Sequence, residues 1–377
     1  MRTKLLFIVT ADWYFCSHRL ALASAASRQG YEVLVATTVN EHGRQITEAG
    51  LRLIPLSFPR SAAAPWRDLA LVFQLIRLCN IEQPDIVHNI ALKPVLYGSM
   101  AALLSKATPQ VINLLTGFGH TFTSRRVVAR MLRALIQPAL RFILGARHCH
   151  TVVQNPDDLV FITSRYNVAV ERVTQISGSG VDLEEFVVTR ELDGAPVVVF
   201  PARLLIDKGV NEFIEVARRL RQEKPEARFA LVGDIDPQNP SSLRAEQLEA
   251  IRREGVVECW GWRDDMPKVF AGCHIVCLPS HREGLPKALL EAGAAGRAVV
   301  ATDVPGCRLA VDDEKSGVLV PLGDLDALSS SLSRLMEDGE TRRTMGAHGR
   351  VLAEKFSIER VVEDTLKLYE QQLRRRT

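Results

Sequence analysis

Apolar positions along this chain fall into two alternating kinds of run. Short continuous stretches rich in β-branched residues (KLLFIVT, YEVLVAT, LRLIPLS, DIVHNI, PQVINLLT and TVV) are separated by longer segments in which apolar positions return every three to four residues: SHRLALASAASRQ, Gly43–Ala49, Trp66–Asn80 and Leu92–Ser105. Continuous apolar strands belong to sheets covered on both faces, and strand–helix alternation makes those strands parallel. The pattern predicts a doubly wound α/β domain over residues 1–180. A Gly/Ser-rich passage, QISGSGVDLEEF, leads into Thr189–Pro196, a polar stretch without apolar period that reads as the linker. The alternation then restarts: PVVVFPARL, a helix over Gly209–Glu223, ARFALVGD, a helix over Ser242–Glu254, VVECWGW, a helix through Met266–Ala271, HIVCLPS, a helix over Pro286–Ala295, AVVATDV and GVLVPL. This predicts a second doubly wound domain over 181–357. The apolar stripe Val361, Val362, Thr365, Leu366 and Leu368 marks a C-terminal helix, about 358–377, expected to pack back on the first domain. Open parallel sheets bind ligands beyond the carboxyl ends of their strands, so the active site is expected where two such edges face across a cleft.

Composition narrows the class. Of the 377 residues 47% are hydrophobic and 24% charged, which excludes disordered, collagen-like and coiled-coil chains. No stretch reaches the roughly 18 uninterrupted apolar residues of a spanning helix, and the N-terminus carries no small-residue cleavage site. The seven cysteines are scattered and never form Cys-x-x-Cys, against a disulfide framework or a zinc ribbon and in favour of a reducing cytoplasm. The net charge of +3 conceals an asymmetry, because residues 1–180 carry 19 Lys/Arg against 10 Asp/Glu. No acidic residue occurs between Asp85 and Asp157, so this stretch attracts phosphates or an anionic membrane surface.

Two motifs carry chemistry. In Ser280-His-Arg-Glu-Gly-Leu-Pro-Lys-Ala-Leu-Leu-Glu291, Glu283 lies in a strand-to-helix turn beside Gly284, and Glu291 follows inside the helix. Carboxylates so placed suit sugar or ribose diols, and the helix amides suit phosphate. The plainer alternative makes Glu291 a solvated helix residue and Glu283 a favourable N-terminal charge. In Phe200-Pro-Ala-Arg-Leu-Leu-Ile-Asp-Lys-Gly209, Arg203 and Lys208 follow a strand and precede a helix, a plausible diphosphate clamp, against two surface cations with Asp207 pairing locally.

PARLLIDKG, LVGD, VECWGWRDDMP, LPSHREGLPKALLEAGAAGRAVVATDVPGC and GVLVPLGD, in this order, resemble the donor half of retaining GT-B glycosyltransferases of family four. Asp12-Trp-Tyr-Phe-Cys-Ser-His-Arg-Leu20, His88-Asn-Ile-Ala-Leu-Lys-Pro94, Leu115-Thr-Gly-Phe-Gly-His120 and Gln154-Asn-Pro-Asp-Asp158 resemble bacterial transferases that extend undecaprenyl-diphosphate-linked glycans. The resemblance implies transfer of a sugar, an N-acetylhexosamine being suggested, from a UDP-sugar to a polyprenyl-diphosphate-linked glycan, with retention, without metal or other cofactor, and without nucleic acid. By it Arg203 and Lys208 bind the donor diphosphate, Glu283 the donor sugar, and Gly284 and Leu285, with Pro286 in the same turn, the sugar or phosphate. Glu291 takes the ribose diol, Gly261, Trp262 and Arg263 lie near the base, and His120 faces the donor sugar. Asp12, Trp13, His18, Lys93, Gly117 and Gly119 are assigned to the acceptor. Where family members often have a Gly-Gly loop after the first strand, this chain has Trp13-Tyr14-Phe15.

Between Arg125 and Arg147, Val128, Met131, Leu132, Leu135 and Ile136 share one helical face and Arg126, Arg130 and Arg133 another, with Pro138 expected to kink the helix. Such a helix can lie in a membrane interface, which fits a peripheral protein on the cytoplasmic face. An ordinary core-facing helix with a solvated arginine face is the alternative. Three motifs are set aside: Asp234-Ile-Asp236 as a metal site, His148-Cys-His150 as zinc ligands and Gly178-Ser-Gly180 as a dinucleotide fingerprint, since none has the required context. Two rival functions stay open: a UDP-sugar 2-epimerase, which would convert UDP-GlcNAc alone, and a non-catalytic nucleotide-sugar-binding subunit of a glycan-assembly complex.

Overall fold

The computed structural model describes residues 2–58, 65–116, 127–237 and 239–375, with side chains throughout except at 65 and 127–135. The chain forms two compact units, Met1–Ser179 with Ile358–Thr377, and Gly180–Ser357.

In the first unit, β1 (Lys4–Ile8), β2 (Glu32–Thr37), β3 (Arg52–Pro55), β4 (Ile86–Ile90), β5 (Gln110–Leu114), β6 (Cys149–Val153) and β7 (Val173–Gln175) form one sheet in the order β3-β2-β1-β4-β5-β6-β7. Every adjacent pair is parallel. Alternate residues of a strand point to opposite faces, and β1 shows it directly. Leu6 and Ile8 join the core under helices Pro65–Glu82, Leu92–Leu104, Val127–Gly145 and Pro156–Tyr166. Leu5 and Phe7 join the core under Asp12–Arg28, Gly43–Glu48 and the C-terminal helix Ile358–Arg374. The C-terminal stripe sits in that second layer through Val361, Leu366, Leu368 and Tyr369. Val127–Gly145 stays helical through Pro138.

In the second unit, β8 (Val197–Pro201), β9 (Arg228–Val232), β10 (Glu258–Gly261), β11 (Ile275–Leu278), β12 (Ala298–Thr302) and β13 (Gly317–Val320) are ordered β10-β9-β8-β11-β12-β13, again parallel. The strand order reverses between β8 and β11, which opens a crevice at their carboxyl ends. The helix Lys287–Ala294 lies against Gly339–Glu354 at a glycine contact, where a Cβ on Gly293 would meet the Gly349 carbonyl oxygen at 2.9 Å.

Thr189–Pro196 is not the linker. The chain leaves the first unit at Ser179, and basic side chains of the second unit hold the polar stretch. Arg297, 1% exposed, donates to the Thr189 carbonyl at 3.0 Å, Arg342 pairs with Glu191 at 3.0 Å, and a His274 ring nitrogen lies 2.9 Å from the Leu192 carbonyl. A segment held by buried polar contacts has no apolar period to betray it.

Candidate active site

The crevice between β8 and β11 collects the two motifs. After β8 the chain turns through a 3₁₀ segment, Ile206–Lys208, into Gly209 at φ +81°, where a Cβ would meet the Pro279 carbonyl oxygen at 2.0 Å. Only glycine fits there, and the close approach brings the post-β8 and post-β11 loops together. His281 N–H donates to the Asp207 carbonyl at 2.9 Å. Lys208 Nζ then lies 2.6 and 2.8 Å from the two carboxylate oxygens of Glu283, and Ser280 Oγ donates to the same carboxylate at 2.6 Å. Glu283 is buried, so it is a fixed acceptor with its partners in place rather than a solvated N-terminal charge.

Arg203 donates to Asp236 Oδ2 at 2.9 Å. Asp236 is in turn held by its own N–H donating to Ser242 Oγ at 2.9 Å. The second carboxylate of Asp-x-Asp is therefore a partner of the proposed clamp. Among the described residues no group of His, Cys, Asp and Glu side chains is arranged to hold a metal ion. Gly233 reinforces the placement: at φ +151° its Cβ would strike the Ala202 carbonyl oxygen at 2.1 Å, and its N–H donates to Gly261 at 2.8 Å.

Glu291 lies inside helix Lys287–Ala294 and is buried, with Lys287 Nζ at 3.0 Å. Burial pushes its carboxyl above the usual range, Lys287 opposes this, and Glu185 adds to it. It is not a solvated helix residue. Gly284 and Leu285 lie between the carboxylates, and the Gly284 carbonyl packs so closely on Gly306 that a Cβ there would meet it at 2.5 Å. Pro286 precedes the helix as its N-cap. Gly261 ends the edge strand β10 at φ +72°, Trp262 is 60% exposed, and Arg263 makes a two-pronged contact with Asp265 at 2.7 Å on both arms. Beside the crevice His281 lies 2.7 Å from Glu212, whose hydrogen bond raises the imidazole pKa against the opposing effect of burial.

In the first unit the aromatic segment after β1 is helical from Asp12 rather than a loop. Asp12 is fully buried and accepts from Trp13 N (2.8 Å), Asn40 N (2.6 Å), Asn40 Nδ2 (3.2 Å) and His42 N (3.0 Å). Burial raises its pKa, but the hydrogen bonds from Asn40, then His42 and Trp13, outweigh this and hold it below the usual carboxylate range. Asp12 thus braces the loop after β2. His18 stacks on Tyr14 with ring centroids 4.2 Å apart, and its Nδ1 lies 2.5 Å from Ser17 Oγ. Trp13 meets Tyr14 edge-on at 5.7 Å. Lys93 lies 3.2 Å from Asp68 and 6.0 Å from the Tyr97 ring centroid. Gly117, Gly119, His120 and Arg126 lie outside the described residues, and for Arg130 and Arg133 only the helical backbone is described.

Ser280 and Asp236 were within reach of sequence reasoning, since both sit in the motifs, but no spacing rule assigns them to Glu283 and Arg203. The buried pairing of His88, on β4 in the middle of the first sheet, had no signal in the sequence. His88 Nδ1 lies 2.6 Å from the Tyr369 hydroxyl, and its ring stacks on Phe7 at 5.2 Å. Burial, and then Arg19, push its pKa down to about 3.

Residues 182–352 match the family model "Glycosyl transferases group 1", and residues 4–144 match "Glycosyl transferase 4-like". An N,N'-diacetylbacillosaminyl-diphospho-undecaprenol alpha-1,3-N-acetylgalactosaminyltransferase of Campylobacter jejuni is 28% identical, over 93% of this chain and 94% of its own. A UDP-Gal:alpha-D-GlcNAc-diphosphoundecaprenol alpha-1,3-galactosyltransferase of Escherichia coli is 27% identical over 72% of this chain and 71% of its own. Among solved structures, Anabaena HepE in complex with UDP and glucose superposes with a TM-score of 0.78 at 17% identity, covering 98% of this chain and 100% of that one. Sucrose-phosphate synthase from Thermosynechococcus elongatus superposes with a TM-score of 0.82 at 20% identity, covering 98% and 99%. The first half of the chain matches the 4-like model and the second half the group 1 model, and with two parallel-sheet, Rossmann-like units the chain is a glycosyltransferase with the GT-B fold.

Proposed function

We propose that this glycosyltransferase moves a sugar from a UDP-sugar to a polyprenyl-diphosphate-linked glycan, retaining the anomeric configuration and using no metal, as a peripheral protein of the cytoplasmic membrane face. The observation that carries the reading is the pairing of Lys208 and Ser280 with Glu283 in the β8/β11 crevice, with Arg203 in the adjoining loop. The names of the Campylobacter and Escherichia relatives support the lipid-linked acceptor, and UDP in the HepE structure supports the nucleotide.

In this reading the donor diphosphate draws Arg203 away from Asp236, and Arg203 and Lys208 together meet the charge that develops on the leaving UDP. Fixed cations aimed at developing charge lower the barrier without a metal ion. Glu283, held by Lys208 and Ser280, accepts from donor-sugar hydroxyls and fixes the anomeric carbon. The bond from that carbon to the β-phosphate oxygen breaks, the acceptor hydroxyl adds from the same face, and its proton passes to the departing phosphate. Glu291, buried near the turn, accepts from the ribose diol.

Calorimetric titration of UDP in EDTA tests the donor site, and transfer of labelled sugar to a prenyl-diphosphate glycan tests the acceptor. UDP binding that survives chelation and falls at least tenfold in Glu291→Ala is expected. Binding that requires Mg²⁺ would overturn the metal-free reading, and a new UDP-sugar formed from UDP-GlcNAc alone would make the protein an epimerase.

A further inference from the structure

Helix Pro65–Glu82 is apolar on both sides. Leu71, Val72, Leu75 and Cys79 face the core, which accounts for one side. On the other, Trp66, Leu69 and Phe73 stand at positions i, i+3 and i+7 and are 68%, 57% and 62% exposed, with Ile81 further along at 64%. Isolated exposed apolar residues are ordinary, but a contiguous row on one helix face is not.

The distribution over the unit is one-sided. Leu104 and Phe142, 65% and 73% exposed, lie on helices Leu92–Leu104 and Val127–Gly145 of the same layer. The helices of the opposite layer, Asp12–Arg28, Gly43–Glu48 and Ile358–Arg374, carry no large exposed apolar side chain among the described residues. The stretch of chain that carries these helices is also cationic in sequence. Residues 65–145 hold nine Lys/Arg and three Asp/Glu. The two acidic residues of helix Pro65–Glu82 are engaged by cations: Asp68 with Lys93 at 3.2 Å, and Glu82 with Arg52 at 2.7 Å and Lys4 at 3.5 Å. Arg67 and Arg77 flank the apolar row and are exposed, and Lys106, whose N–H donates to Asn80 Oδ1 at 2.8 Å, adds a cation at the helix's far end. No helix among the described residues is long and apolar enough to cross a membrane.

We infer that this face, centred on Trp66, Leu69 and Phe73, docks the first unit onto an anionic lipid bilayer, with the aromatic rings at the level of the acyl boundary and Arg67 and Arg77 among the headgroups. The inference rests on the lipid-linked acceptor proposed above, and it moves the principal contact from the arginines of helix Val127–Gly145 to helix Pro65–Glu82. Apolar insertion and cationic attraction act together: the rings supply affinity for any interface, and the cations select the anionic one.

The test is sedimentation with phosphatidylglycerol-containing and with purely phosphatidylcholine vesicles. Wild-type protein should bind the former, and Trp66→Ser/Leu69→Gln/Phe73→Ser should bind at least tenfold more weakly with unchanged thermal midpoint and UDP affinity. Arg67→Gln/Arg77→Gln should weaken binding to the anionic vesicles only. Quenching by brominated acyl chains should fall sharply in Trp66→Phe, which identifies Trp66 as the inserted tryptophan. Unchanged vesicle binding by the triple variant, no binding by the wild type, or a wild-type dimer that the triple variant abolishes would each overturn the inference. Transfer to a short-chain, water-soluble acceptor reads the enzymatic proposal separately, since it needs no membrane.

Discussion

Lys208→Met is the substitution whose consequence the geometry fixes most tightly. It removes a cation 2.6 Å from a carboxylate that is 7% exposed, while the lysine itself is 26% exposed. Removing one member of a buried pair costs about 3–5 kcal/mol, because the remaining charge stays desolvated. Ser280 Oγ, at 2.6 Å, still donates to Glu283, which places the expected loss near the lower end, about 3 kcal/mol. Glu283→Gln leaves a quarter-exposed ammonium that water can reach, and should cost only about 1–2 kcal/mol. The double variant leaves neither charge behind, so it should be about 2 kcal/mol less destabilised than the sum of the two. Urea unfolding followed by tryptophan fluorescence reads this, since Trp260 and Trp262 report on the second unit. Each single variant should also lose at least a hundredfold in transfer rate. A coupling energy below about 0.5 kcal/mol, the limit for independent sites, would refute the argument that Glu283 depends on Lys208.

Three further expectations are independent of that pair. Gly209→Ala should destabilise the second unit by roughly 2 kcal/mol or more and depress turnover, because it combines a left-handed backbone with a Cβ 2.0 Å from the Pro279 carbonyl oxygen; a wild-type thermal midpoint would contradict the close approach. Asp236→Asn should release Arg203 and tighten UDP binding severalfold in calorimetry, whereas metal-dependent loss of binding would restore Asp-x-Asp as a metal site. Acid should weaken the first unit through His88: an imidazole whose pKa falls from 6.5 to about 3 on folding resists protonation, so its contribution is intact above pH 6.5 and is lost as the pH falls towards 3. Between pH 7.5 and 5 the loss is about 2 kcal/mol, and His88→Gln should flatten the unfolding midpoint's dependence on pH by that amount.

Much of this protein is written in local pattern. Continuous apolar runs between segments of helical period sufficed for two parallel, doubly wound sheets, because burial on both faces is a property each strand carries in its own residues. The spacing of Glu283 and Glu291 and the run from Arg203 to Gly209 likewise placed both motifs at strand ends. Contacts between distant segments were not legible. Lys208 meets Glu283 across 75 residues because β8 and β11 are neighbours in the sheet, and strand order is a global property that no window of sequence contains. The same holds for Arg203 with Asp236, for Asp12 bracing the loop after β2, and for Thr189–Pro196, which lacks period yet is held by Arg297, Arg342 and His274. Helix Pro65–Glu82 shows the limit most plainly. A helix apolar on both sides has no hydrophobic direction of its own, so only packing against the sheet decided that Leu71 and Leu75 are buried while Trp66 and Phe73 face outward.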